Sequence, residues 1–357
     1  MKYYLIIFLL IANISSYPQE YSLLLGLGYE NECKIGNIDA GFMQNLKTIC
    51  VTTENDSLKI IADIPELILK RDTSYWRIGI KRSVYNRCTK DLLWVSPLGT
   101  EPDIKGIDVD CGENCDLYEE YEINYANEKY IVVTNSGEGS CRESAHPSSW
   151  HDYYWIPIDN FAKKYDWIGD LALNIPDDIP KIFNKVFYEN FLKDGKKVYD
   201  ILEKETKRAL EETPSKVYLM RQNGKWHSGG EYYWNSEVDR GTTAEFEVST
   251  LPPYSLVGYD SLSIPWDTIK TYIPNANDAI TSPDGKVLVV IVGRSLNVYN
   301  LINSEIPSSP SIKYEIKGSG LNIISIKWFR DNGKTSSFLK NLSEDFLHYP
   351  HGISSLY

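Results

Sequence analysis

The first residues of the chain determine the compartment in which the rest of it folds. Lys2 precedes an apolar run of eight residues, Leu5 to Ala12, and small polar residues follow that run. The run is too short to cross a bilayer core of about 30 Å, so it predicts a signal peptide over residues 1–16. We therefore expect a secreted or periplasmic protein with no transmembrane segment after signal cleavage. An uncleaved anchor that holds the globular part outside the membrane is the alternative.

Export bears directly on the cysteines. The chain has six, Cys33, Cys50, Cys88, Cys111, Cys115 and Cys141. An oxidising space favours disulfides, and Cys33 with Cys50 is the expected local bridge, although the sequence does not choose among the other pairings. A structural metal site is the alternative. Because no C-x-x-C pair is present, we expect no metal and no other cofactor.

Short runs of β-branched and aromatic residues, separated by turn residues, favour antiparallel strands along most of the chain. One hairpin is well defined, because Asn223-Gly224 favours a type I′ turn. Two amphipathic segments, residues 179–195 and 196–212, predict a pair of helices that ends at Pro214. The pattern therefore predicts an α+β fold in which a helix pair covers antiparallel sheets and a C-terminal β-hairpin array follows.

The same pattern divides the mature chain into three parts. Residues 17–56 form a cysteine-containing N-terminal segment, residues 57–260 an α+β envelope-binding domain, and residues 261–357 the C-terminal β-hairpin unit. Within the last part, residues 282–329 resemble one blade of a β-propeller. No period of about 45 residues occurs elsewhere, and a propeller closes only through repeated blades, so we do not expect a complete propeller.

Charge and missing motifs narrow the function. The chain has 37 Lys and Arg against 49 Asp and Glu, a formal charge of −12. This balance excludes an ordinary nucleic-acid-binding face and suits a cationic partner. No Gly-x-Ser-x-Gly elbow, phosphate-binding loop or His-Glu-x-x-His motif is present, so no catalytic residue is assigned.

Histidines and aromatic residues supply the candidate ligand-binding positions. One segment places two imidazoles beside an indole, and another is a short aromatic run; the candidates are His146, Trp150, His151, Tyr232, Tyr233 and Trp234. Such rings stack on sugars or fill protein interfaces, but they also pack in cores. As an alternative function, Glu245 and Glu247 lie on one face of a strand and could serve as the paired carboxylates of a secreted glycan hydrolase.

The middle of the chain resembles a known envelope domain. The residues that carry the resemblance are Tyr130–Thr134, Ala145-His146-Pro147 and Trp155–Asp159. Together with the order of elements over residues 57–260, they are similar to the extracytoplasmic domain of lysozyme-sensing anti-sigma factors and to the non-catalytic N-terminal domain of some peptidoglycan deacetylases. Cys141 and Ser144 depart from that family. The resemblance implies a non-catalytic binding protein of the cell envelope, whose partner is a cationic protein such as lysozyme or a cell-wall glycan polymer.

Overall fold

The computed structural model describes most of the chain. The described ranges are 21–35, 38–54, 57–85, 87–102, 115–141, 148–162, 168–173, 178–203, 206–207, 210, 214, 216–232, 244–330 and 334–348. The predicted signal peptide lies outside them, as do Cys111, His146, Tyr233 and Trp234. Among these ranges, no helix has the length and apolar character needed to cross a membrane.

Strands dominate the described residues. They are β1 Tyr21–Ile35, β2 Ile38–Glu54, β3 Ser57–Ile64, β4 Leu67–Arg71, β5 Ser74–Tyr85, β6 Cys88–Pro97, β7 Cys115–Ala126, β8 Tyr130–Cys141, β9 Ser148–Pro157, β10 Lys216–Gln222, β11 Lys225–Tyr232, β12 Ala244–Glu247, β13 Ala276–Thr281, β14 Val287–Val292, β15 Ser295–Asn300, β16 Ile312–Glu315 and β17 Ser319–Arg330. The helices are α1 Ile179–Ile182, α2 Lys185–Ile201, α3 Tyr254–Val257, α4 Trp266–Tyr272 and α5 Lys334–His348, with two 3₁₀ turns at Ile158–Ala162 and Ile168–Leu171.

The strands form four sheets, and each sheet contacts the next. Their strand orders are β17-β1-β2-β3, β4-β5-β6-β7-β8-β9, β10-β11-β12 and β13-β14-β15-β16. Apolar cores join the first sheet to the second, the second to the third, and the fourth back to the first. A buried ion pair between Arg221 on β10 and Asp278 on β13 links the third sheet to the fourth. The four sheets are therefore arranged as a four-bladed β-propeller.

This architecture contradicts the predicted α+β class. Strands account for 56% of the described residues and helices for 21%, and no helix pair covers a sheet in the described part. The expectation of an incomplete propeller was also wrong. The four sheets contain four, six, three and four strands, so closure occurs without a repeat of constant length. The last strand of the predicted C-terminal unit, β17, belongs to the first sheet, because it pairs antiparallel with β1.

The predicted helix pair was wrong for an identifiable reason. Gly195, where the first helix was expected to end, lies inside the single long helix α2. A Cβ at this position would be 2.9 Å from atoms of both Tyr232 and Phe246, so the glycine allows the helix to approach the third sheet closely. The I′ turn is confirmed, because Asn223 and Gly224 both have positive φ and join β10 to β11.

The cysteines also differ from expectation. Cys33 and Cys50 are both thiols and form no bridge. Leu24 on β1 lies opposite Cys50 on β2, so Cys33 is nine positions further along β1, about 30 Å away at the usual strand rise. Cys88 is disulfide-bonded. Cys115 lies directly opposite Cys141 in the backbone register of β7 and β8.

Candidate functional site

The candidate site is formed where two neighbouring strands separate. β6 and β7 pair in parallel over only three positions, from Cys88 with Leu117 to Lys90 with Glu119. Beyond that point the backbone of β7 finds other partners. Asp91 accepts a hydrogen bond from the Tyr121 backbone N–H at 3.3 Å. The separation leaves an opening between the first and second sheets.

A buried ion pair lies at the start of this opening. Arg82 on β5 donates to both carboxylate oxygens of Asp91, over 2.6 and 2.8 Å. Neither side chain is more than 1% exposed. The same guanidinium donates to the Phe42 carbonyl oxygen and to the Tyr118 hydroxyl. Bidentate geometry and these extra bonds offset the desolvation of both charges, so the pair fixes β2, β5 and β7 relative to each other.

A glutamine takes the place of a neighbouring strand further along β7. The Gln44 side-chain amide donates to the Ile123 carbonyl oxygen at 3.1 Å and accepts from the Ile123 N–H at 2.7 Å. Gln44 is buried, and Ile123 is inaccessible to solvent. This clamp satisfies the buried N–H and C=O of Ile123, and it holds the preceding residue, Glu122, beside β2.

The opening is a cavity of about 450 Å³. We call it the acidic cleft and define it by its charged and aromatic lining, Glu30, Phe42, Tyr118, Glu120, Glu122 and His151. Its volume lies within the range of about 300–1,000 Å³ that is typical of small-ligand sites. Three strands from two sheets supply its carboxylates and rings, and β9 supplies the imidazole.

The carboxylates of the acidic cleft are unequally compensated. The Tyr118 hydroxyl donates to Glu120 at 2.7 Å, and Arg82 lies 3.7 Å from the same carboxylate. Burial and the bond to Glu120 raise the pKa of Tyr118 to about 12, so this hydroxyl remains a donor. In contrast, neither Glu30 nor Glu122 has a hydrogen bond or ion pair from its side chain to another described residue.

Glu122 is the most perturbed of these groups. Desolvation raises its pKa, and the negative charges of Glu30 and then Glu120 raise it further. Glu122 is nevertheless solvent-exposed, and it lines the acidic cleft. A carboxylate with a raised pKa in a concave site is a typical functional-site feature.

The rim of the acidic cleft has an aromatic and an imidazole side. Phe42 is 55% exposed, which is unusual for a large apolar side chain. It follows Gly41, whose φ of +74° places the backbone in the left-handed region. His151 is exposed and held by Ser136 at 2.8 Å and by the Tyr153 hydroxyl at 3.0 Å. The cleft therefore combines negative charge with an exposed apolar ring.

Three of the predicted ligand-binding residues lie in the described part, and they have different roles. His151 lines the acidic cleft. Trp150 lies flat across Gly137, where a Cβ would come within 2.2 Å of its ring. Tyr232 is 1% exposed and belongs to the core between the second and third sheets. His146, Tyr233 and Trp234 are outside the described residues.

The carboxylate pair of the hydrolase alternative is on β12. Glu245 and Glu247 are both exposed, while Phe246 between them is buried. Neither lines the acidic cleft. They occupy the solvent face of a half-buried strand, and nothing in this arrangement favours glycan hydrolysis. Among the described residues, no three His, Cys, Asp or Glu side chains are placed to hold a metal ion.

No protein-family model matches the chain, and no curated protein matches it significantly. The prediction from sequence did not include Glu30, Phe42, Gln44 or Glu122 among the site residues. The only local signal was the alternation of Glu120 and Glu122 along a strand. Such alternation ordinarily indicates a solvated strand face.

Proposed function

We propose that the protein is a non-catalytic binding protein that takes a cationic side chain of a partner protein into the acidic cleft. The observation that carries this proposal is Glu122, a carboxylate without a partner among the described residues in a cavity that already contains Glu30 and Glu120. A bound cation favours the ionised form of Glu122 against the desolvation and the repulsion by Glu30 and Glu120 that raise its pKa.

Electrostatics favours a cation over a neutral ligand. Two unit charges 4 Å apart interact by about 4 kcal/mol at an effective dielectric constant of 20, before desolvation is subtracted. Glu30 and Glu122 approach the cleft from different sheets, so an ammonium or guanidinium group can meet both. Arg82 does not compete for them, because Asp91 and the Tyr118 hydroxyl engage its guanidinium.

The exposed ring of Phe42 favours a lysine or arginine side chain of a partner protein as the ligand. Lysine and arginine carry their charge on an apolar stem, which packs on exposed apolar surface while the charged head reaches polar groups. The exposed phenyl ring of Phe42 suits the apolar stem, and the acidic cavity beside it suits the charged head. The formal charge of −12 adds long-range attraction for a basic partner.

The setting of this binding is proposed from the N-terminal sequence. Residues 1–16 have the pattern of a signal peptide, so we place the protein outside the cytoplasm, as a secreted or periplasmic component of the cell envelope. Lysozyme is one cationic protein of that compartment, and it is the first probe we would use.

The test is a binding titration at low ionic strength with lysozyme and with a short lysine-containing peptide. We expect binding that weakens as salt rises, because a Debye length of about 10 Å at 0.1 M screens the attraction. Glu122→Gln and Glu30→Gln should each weaken it. Glu245→Gln is the matched control, because it removes an exposed glutamate that does not line the acidic cleft.

Three results would count against the proposal. They are no binding of either probe at low salt, equal weakening by Glu245→Gln and Glu122→Gln, and binding of an amine-bearing cell-wall polymer but of neither protein probe. The last result would keep the acidic cleft as a cation site but would assign it to a glycan ligand.

A further inference from the structure

A second cavity has the opposite electrostatic character. It measures about 100 Å³ and lies where β1 and β17 of the first sheet meet β4 and the β7–β8 turn of the second. Helix α3, which belongs to the segment between the third and fourth sheets, forms another wall. The first sheet, the second sheet and the segment that contains α3 therefore converge on this cavity.

Three lysines line this cavity, which we call the lysine pocket and define by Lys70, Asn127, Glu128, Lys129 and Lys327. Lys327 donates to Glu128 at 2.8 Å. Lys70 and Lys129 have no ion pair with another described residue. Three positive charges against one negative charge is an unusual excess in a chain whose net charge is −12.

The walls of the lysine pocket are fixed. Asn127 donates from its side-chain amide to the Tyr125 hydroxyl at 2.8 Å and to the Leu256 carbonyl oxygen at 2.9 Å. Its side-chain oxygen accepts the backbone N–H of Lys129 at 2.7 Å. Tyr125 also donates to Leu256, so the turn that bears Glu128 and Lys129 is tied to helix α3. The backbone of Lys129 is thus held by hydrogen bonds, while Lys70 and Lys327 lie on strands β4 and β17.

We propose that the lysine pocket binds one oxyanion group, a phosphate or a carboxylate. Its volume equals that of about three water molecules, which suits a single oxyanion group. Charge-assisted hydrogen bonds from lysines are among the stronger polar interactions, and the three lysines that line the pocket lie on three separate chain segments. This site is independent of the acidic cleft and does not depend on the function proposed for it.

The test uses the full chain with inorganic phosphate and, separately, with acetate, each against chloride at equal ionic strength. We expect phosphate or acetate to raise Tm and to give a measurable titration, and the tighter ligand identifies the oxyanion. Lys70→Met and Lys129→Met should each weaken binding about tenfold, the equivalent of one lost charged hydrogen bond. Lys129 is exposed, so its variant tests the site without disturbing the fold.

Two further variants sharpen the test. Glu128→Gln removes the one carboxylate of the pocket and releases Lys327, so it should tighten binding. Lys193→Met, on the exposed side of α2, should leave binding unchanged. The proposal fails if neither anion acts differently from chloride, if Glu128→Gln weakens binding, or if Lys193→Met weakens binding as much as Lys70→Met does.

Discussion

The clamp between Gln44 and Ile123 allows a prediction that joins stability to the site. Gln44→Met keeps the size of the side chain and removes both hydrogen bonds to Ile123. Each unsatisfied buried backbone group costs about 1–3 kcal/mol, so we expect a loss of about 2–6 kcal/mol in the free energy of unfolding. At about 2.1 cal/mol/K per residue over the chain, this corresponds to a fall in Tm of about 3–8 °C.

A second substitution at the same position, Gln44→Glu, predicts the direction in which stability changes with pH. In Gln44→Glu the carboxylate still accepts from the Ile123 N–H, but it faces the carbonyl oxygen without a proton. It also stands directly opposite Glu30 in the β1–β2 register. This variant should be less stable than Gln44→Met at pH 7. The introduced group has a raised pKa in the folded protein, so its stability should recover as pH falls and the carboxyl gains a donor proton.

Thermal unfolding followed by circular dichroism at pH 7 and pH 4.5 measures both effects. Gln222→Met on the exposed end of β10 is the control and should leave Tm unchanged. If Gln44→Glu matches the wild type at pH 7, or if its deficit grows on acidification, then the clamp does not hold the two sheets together as described.

Three further predictions follow from the same physical arguments. Asp91→Asn removes the bidentate partner of the buried Arg82 guanidinium, leaving only the longer ionic contact to Glu120, and should cost about 3–5 kcal/mol, measured by denaturant unfolding; a loss below 1 kcal/mol would contradict the assigned role. Gly229→Ala places a Cβ within 2.0 Å of the Tyr218 ring and should cost about 1–3 kcal/mol by the same assay, and an unchanged midpoint would refute that packing. Glu122→Gln should stabilise the fold at neutral pH but not at acid pH, because a raised folded-state pKa means that ionisation of the wild-type group is destabilising. The wild type should also lose its cationic ligand on acidification at a higher pH than an ordinary glutamate would allow, and a pH-independent affinity would exclude Glu122 as the ligand contact.

Local elements of the fold could be predicted from the sequence where local chemistry decides them. The Asn223-Gly224 turn has the expected conformation because its two residues tolerate positive φ. Gly195 misled the helix assignment, because glycine both ends helices and permits close packing inside them. The ring was not predictable from repetition, since its sheets differ in strand number.

The acidic cleft was harder to predict because its parts are distant in sequence. Glu30 and Glu122 become neighbours only through the packing of β1 and β2 against β7. Gln44, which holds this arrangement, has no sequence signature. The candidate rings and imidazoles were chosen by local density, and among those in the described part of the chain only His151 lines the cleft.

The pairing of β1 with β17 has a consequence for biosynthesis. Tyr21 lies opposite Arg330, so the first sheet is complete only after residue 330 has been synthesised. Until then the hydrogen-bonding edge of β1 is open to strands from other chains, a known route to aggregation. Closing a loop of roughly 300 residues also delays folding, since entropy must be lost before the contact is gained. A chain with this topology must therefore be kept from premature association until β17 has been synthesised.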